Sequence, residues 1–98
     1  MEIRFNNRKI ERICTDAGAA KREYGILMAE KICQRISEIK AADTVEMMIR
    51  YHIGRCHRLV QNREGQYAVD LVHPYRLVFV KQGDEVQIVT IIEIVDYH

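Results

Sequence analysis

The apolar positions change period along the chain, and the change divides it. Residues 2–5, read EIRF, alternate with Ile3 and Phe5 on one side and predict a short first strand. Asn6 or Asn7 supplies a helix cap, because a side-chain oxygen there accepts an N–H that the first turn leaves unpaired. Ile10, Ile13 and Cys14 recur at helical spacing to about Thr15. Asp16-Ala17-Gly18 predicts a break or kink, since glycine costs about 1 kcal/mol relative to alanine inside a helix. The strongest periodicity follows over 19–40, where Tyr24, Leu27, Met28, Ile32, Ile36 and Ile39 fall three or four apart and share a face. It predicts one amphipathic helix lying along a sheet, with Gly25 inside it marking close approach to the first helix.

Asp43, with Glu46 three residues later, forms a capping-box pattern and opens a short helix over 44–50, Val45, Met48 and Ile49 inward. Residues 51–55, containing Gly54, read as a loop. Beyond them the period becomes two, and strands are predicted over 56–60, 66–72, 75–81 and 86–95. Arg63-Glu64-Gly65, His73-Pro74 and Gln82-Gly83-Asp84 are the turns between them. Strand, helices, then a run of antiparallel strands predicts an α+β fold, a small, mostly antiparallel sheet with the N-terminal helices packed on one face. Residues 1–98 form a single domain, because a chain of this length supports one modest core.

Alternation sorts the strand side chains. Leu77 and Phe79 turn towards the helices, Arg76 turns the other way with Val78 and Val80, and Tyr67, Val69 and Leu71 take the core side. In the last strand Ile88, Thr90, Ile92, Ile94, Asp96 and His98 share one parity, and Val89, Ile91, Glu93, Val95 and Tyr97 the other. Both are apolar for several residues. That predicts a central strand covered on both faces along part of its length, with a polar end where a site opens.

Composition adds limits. With 48% hydrophobic and 30% charged residues the chain reads as an ordinary globular protein, and no apolar run is long enough to span a membrane. Glu2, Arg4 and Arg8 interrupt any signal-like segment. Cys14, Cys33 and Cys56 are odd in number and lack CxxC spacing, which favours reduced thiols, so the expected location is cytoplasmic. The formal net charge is only +1, but its distribution is uneven. Residues 50–81 carry Arg50, Arg55, Arg58, Arg63, Arg76 and Lys81 against Glu64 and Asp70, whereas residues 82–98 carry four acids and no Lys or Arg. A locally basic surface able to meet phosphates fits this distribution, and so does solvated charge at a sheet edge.

Among candidate groups, Arg76 has a planar fork that suits a phosphate bidentately; the alternative is an exposed arginine paired with Asp70 or Glu93. His57, at the start of a strand, is of the residue type best suited to take or give a proton. His52 and His73 fall in loops and read as structural or solvated. Cys56, His57, His73 and His98 are zinc-ligand types, but their spacing has no recognised ligand pattern, and no metal is expected.

His57 and Leu59 precede a polar turn, Gln61 to Gly65; a short strand follows around Tyr67; Pro74-Tyr75-Arg76 leads into a second strand; the sequence ends Asp96-Tyr97-His98. This order resembles the HigB branch of the RelE/ParE toxin superfamily, small bacterial toxins of type II toxin–antitoxin pairs. The resemblance covers the C-terminal half residue by residue and the N-terminal half in its helical layout. It implies a RelE-like fold and a metal-independent, ribosome-dependent mRNA endoribonuclease without a cofactor. Such cleavage needs deprotonation of a ribose 2′-OH, stabilisation of charge on phosphorus, and protonation of the departing 5′-oxygen. The resemblance assigns these services to His57, Arg76, Asp96, Tyr97 and His98, with Arg58 and Arg63 as RNA- and phosphate-binding residues. The expected partners are mRNA on the ribosome and a cognate antitoxin, a helix-turn-helix protein like HigA. Many relatives carry a proline after the histidine, a lysine three residues beyond it and a turn glycine; here those places hold Arg58, Val60 and Gln61. Arg58 or Arg63 would replace the missing lysine. A ParE-like inhibitor of DNA gyrase and a non-catalytic binding module are the alternative functions on the same fold.

Overall fold

The computed structural model describes residues 1–97. Strand β1 (Glu2–Phe5) leads into helices α1 (Arg8–Thr15), α2 (Ala17–Tyr24), α3 (Ile26–Ala41) and α4 (Val45–Arg50). Strands β2 (His57–Arg58), β3 (Tyr67–Asp70), β4 (Tyr75–Gln82) and β5 (Ile88–Asp96) follow. The five strands form one sheet in the order β1-β5-β4-β3-β2, antiparallel except for the parallel β1–β5 pair. This is the expected α+β architecture.

Local chemistry sets the helix boundaries. The Asn7 side-chain oxygen accepts the Ile10 N–H at 2.9 Å and starts α1; Asp16 accepts from Gly18 and Ala19 and starts α2. The single helix expected over 19–40 is in fact two. Gly25, at φ +89°, is the last cap of α2 and the first of α3, a conformation that side-chain-bearing residues rarely take. The break resets the helical face, so Leu27 is exposed rather than inward, and α3 buries Met28, Ala29, Ile32, Ile36 and Ile39. The cap of α4 also differs from expectation: Thr44, not Asp43, accepts the Met47 N–H at 3.1 Å. Glu46 turns instead to Lys81 and Gln87, at 2.6 and 2.7 Å. Gln87 is itself buried, accepts the Val45 N–H at 2.8 Å and so ties α4 to the start of β5. The hydrogen bond from Lys81, then that from Gln87, holds the Glu46 carboxyl down at about 2.

The core lies between the helices and one sheet face, where Tyr67, Val69, Leu71, Leu77, Phe79, Val89 and Ile91 meet the apolar stripes of α1, α3 and α4. Tyr67 stacks on Phe79 with ring centroids 5.8 Å apart. Among the described residues the opposite face of the sheet carries no helix, and two irregularities shape it. The strand expected over 56–60 pairs only at His57 and Arg58; then the backbone turns into a 3₁₀ segment, Gln61–Arg63. In β5 a bulge interrupts the ladder: Glu93 pairs with Val78, but Ile91 pairs with Phe79, leaving Ile92 without an opposite number. The bulge shifts the alternation, so Val89 and Ile91 face the core while Glu93, Val95 and Tyr97 face outward. The two apolar parities read from the sequence therefore arise partly from this one extra residue.

Candidate functional site

The outer face is organised by strand register. His57, Ala68, Val78 and Glu93 make one cross-strand row; Asp70, Arg76 and Val95 make the next. Side chains in a row share a face, so His57, Arg76 and Glu93 all project away from the helices. Tyr97 joins them just past the end of β5, where its N–H bonds to the Pro74 carbonyl at 3.0 Å. From strand spacing alone, the His57 and Arg76 backbones lie about 12 Å apart, two strands across and two residues along. Between them opens a cleft of about 430 Å³. Its walls include His57, Arg63, Arg76 and Tyr97, with the 59–62 backbone turn as a rim.

Arg63 forms the roof of one end. It hydrogen-bonds to Gln66 at 3.0 Å and makes a short ion pair with Glu93 on β5. To reach Glu93 it crosses the row containing Ala68 and Val78, which explains why these two outer-face residues are fully buried. The hydrogen bond that Arg63 donates to Glu93 raises the guanidinium above its ordinary value; desolvation opposes the shift.

Arg76 makes two contacts of different kinds. Its Nε lies 3.3 Å from Asp70 Oδ1, and its guanidinium carbon lies 4.8 Å from the Tyr97 ring centroid. Of the two carboxylates that the sequence offers as its partner, Asp70 takes Arg76 and Glu93 takes Arg63. With Nε beside a carboxylate and the guanidinium carbon over an aromatic ring, the forked end of the guanidinium is suited to meet a phosphate bidentately.

His57 is oriented from the backbone. Its Nδ1 is 2.9 Å from the Arg55 carbonyl oxygen. A carbonyl only accepts, so the ring proton sits on Nδ1 and the neutral ring keeps its lone pair on Nε2, the form a general base requires. The preceding corner is unusual: His52, Gly54 and Arg55 all have φ between +55° and +59° around a 3₁₀ turn, Ile53–Arg55. This carbonyl was not foreseeable from residue types, because the functional atom belongs to the backbone.

Arg58 also lines the cleft; it pairs in register with Tyr67, stands 5.8 Å over its ring and so alternates with His57. Asp96 is exposed, lies opposite Tyr75 and alternates with Tyr97, which places it outside the residues lining the cleft. His98 lies outside the described residues. His73 lies in the turn before β4, as expected. Burial pushes the Cys56 thiol up to about 12, making it a core thiol. Among the described residues no three His, Cys, Asp or Glu side chains gather as metal ligands, and no helix is long and apolar enough to cross a membrane.

Comparison with known proteins agrees with this architecture. No protein-family model matches the chain, and no curated protein does. Solved structures do. A YoeB/ParE toxin from Agrobacterium tumefaciens superposes with a TM-score of 0.67 at 15% identity, covering 100% of both chains. The YoeB–YefM complex from Staphylococcus aureus gives 0.63 at 22% identity, covering 100% of this chain and 97% of that one. A YoeB dimer from the same organism gives 0.55 at 20%. The chain therefore has the fold of the YoeB/ParE toxins, the RelE/ParE-like fold expected from its C-terminal half; these neighbours carry the names YoeB and ParE rather than HigB.

Proposed function

We propose that this protein is the toxin of a type II toxin–antitoxin pair and a metal-independent endoribonuclease that cuts mRNA on the ribosome. The observation that carries the reading is the shared cleft of His57, Arg76 and Tyr97 on the helix-free face. His57 Nε2 takes the proton of the ribose 2′-OH, whose oxygen attacks the adjacent phosphorus. Arg76 stabilises the extra negative charge on the phosphoryl oxygens. As the P–O5′ bond breaks, the 5′-oxygen takes a proton; with His57 as the base we assign this donation to His98, and a 2′,3′-cyclic phosphate remains. Tyr97 backs the Arg76 guanidinium and offers its ring edge to a base. Arg63, already engaged by Glu93, shapes the cleft and contributes positive potential, and Arg58 serves at the rim.

Placement of mRNA by the ribosome supplies orientation that a nearly neutral protein does not supply itself. The HigB branch is the reading that fits Asp96-Tyr97-His98. The partner is a cognate antitoxin of the HigA kind, and the existence of a YoeB–YefM complex among the structural neighbours supports a protein partner. Action in the cytoplasm follows from a ribosomal target.

The test is induced expression with mapping of cleaved transcript ends, alone and with the product of the adjacent gene. Growth arrest relieved by the neighbour, with in-frame cleavage, is expected. His57→Ala should slow cleavage by roughly 10²–10⁴-fold and Arg76→Ala by roughly 10²–10³-fold. Arrest undiminished by either substitution removes the nuclease, and cleaved DNA–gyrase complexes in its place establish the gyrase alternative.

A further inference from the structure

We infer that Asp70 is a positioning residue that sets His57 and Arg76 relative to each other. The inference rests on the nuclease reading above for its consequence, but not for its geometry. Asp70 ends β3 directly opposite Arg76. Its two carboxylate oxygens are divided between two arginines: Oδ1 lies 3.3 Å from Arg76 Nε, and Oδ2 lies 3.4 Å from Arg55 Nε. The first contact fixes the edge of the Arg76 guanidinium that faces away from its forked end. The second reaches the residue whose carbonyl holds His57 Nδ1 at 2.9 Å.

Arg55 has φ +55°, a left-handed conformation that persists only where surroundings hold it. Its side chain pulls towards Asp70 from one side of the strand. The Asp70 carbonyl oxygen is itself held by Arg35 Nε at 2.6 Å, from α3 beneath the sheet. One carboxylate thus sits on an anchored stretch of backbone and touches both halves of the candidate chemistry, the Arg76 guanidinium at its Nε edge and the base through one intervening residue. The Arg55 side chain is 81% exposed, so its pair with Asp70 stabilises little; its effect is on placement. The Asp70–Arg76 pair is more sheltered, at 25% and 31% exposure, and is the stronger arm.

The experiment compares the purified parent chain with Asp70→Asn, which keeps the shape and removes the charge. Side-chain nitrogen NMR reads the Arg76 Nε–H and the two ring nitrogens of His57, and a translation extract reads cleavage per bound ribosome. The variant should melt within about 5 °C of the parent, since the pair is partly solvated. The Arg76 Nε–H signal should shift as its ion pair is lost, the His57 ring should change from one tautomer to a mixture, and cleavage should fall about tenfold with unchanged half-saturation by ribosomes. Asp70→Glu should recover part of the Arg76 signal. Identical guanidinium and ring signals in parent and Asp70→Asn overturn the inference, as does full cleavage despite altered signals. If the parent itself cuts nothing, the nuclease reading fails separately, and the NMR signals still decide whether Asp70 holds the pair.

Discussion

Gly54→Ala probes the corner on which the candidate site stands. Gly54 has φ +59°, where an L side chain costs about 1–2 kcal/mol, and the stiffer unfolded chain of the variant returns roughly 0.4–1 kcal/mol of that. A Cβ at this position would also lie 2.8 Å from Arg35 Nε and 2.9 Å from Arg35 Cδ. Arg35 has little freedom to retreat: its side chain is 12% exposed, Nε donates to the Asp70 carbonyl at 2.6 Å, and Nη1 meets Glu38 at 2.7 Å. Displacing it breaks a charge-assisted bond worth about 1.5–3 kcal/mol. The sum is a loss of roughly 2–4 kcal/mol, measured by urea unfolding followed by circular dichroism, the chain having no tryptophan. The same substitution in an Arg35→Ala background keeps the backbone strain and loses the collision, so its cost should drop to about 1 kcal/mol, a coupling of roughly 1–3 kcal/mol. Equal cost in both backgrounds would refute the reasoning, because strain alone would then account for the whole effect.

Three other perturbations test other parts of the structure. Gln61 holds φ +62° at the lip of the cleft, so Gln61→Gly should stabilise the protein by roughly 0.5–1 kcal/mol in a urea melt, the strain relieved exceeding the entropy lost. Gln87→Ala leaves the Val45 N–H without its acceptor in a buried place and should cost about 1–3 kcal/mol, visible as a lower urea midpoint. Glu46 has a folded value of about 2 against an ordinary 4.5, so the stability it contributes is present above 4.5 and is lost as pH falls towards 2. Its side chain is 46% exposed, which limits the contribution to about 1 kcal/mol; Glu46→Gln should remove that part of the acid-side slope and leave neutral-pH unfolding cooperative.

The fold was readable where periodicity is local and unambiguous. The EIRF strand, the Asn7 cap, the helix pair split at Asp16 and the Leu77–Phe79 core face all follow from spacing, and each forms as expected. Spacing failed at Gly25 because apolar residues recur at helical intervals on both sides of the break, while the positive φ that turns Leu27 outward is not written in those intervals. It failed at Asp43 because two adjacent residues, Asp43 and Thr44, both qualify as caps, and tertiary contacts drew Glu46 away from the capping box to Lys81 and Gln87. At the site, the resemblance singled out His57, Arg76 and Tyr97, and the structure places all three on the lining of one cleft. The Arg55 carbonyl could not be read from the sequence, and neither could the partition of Asp70 and Glu93 between two arginines, since that depends on which strands are neighbours.

One unpaired residue decides whether those groups meet. Without a bulge at Ile92, strict alternation from the buried Val89 and Ile91 would carry Glu93, Val95 and Tyr97 to the core face. Glu93 would then be a charge beneath the helices, and Tyr97 would lie on the far side of the sheet from Arg76. With the bulge, alternation shifts by one: Ile94 packs towards the core, Glu93 reaches Arg63, and Tyr97 comes under the Arg76 guanidinium. The same shift explains how β5 can be apolar on both parities and still end in a polar site. The outer face thereby acquires a cleft lined in part by Arg63, which reaches from the turn before β3 to Glu93 on β5. A chain with a net charge of only +1 can in this way present Arg63 and Arg76 at one opening while its acids serve as their fixed counterparts, so that local potential and side-chain orientation are set together by sheet register.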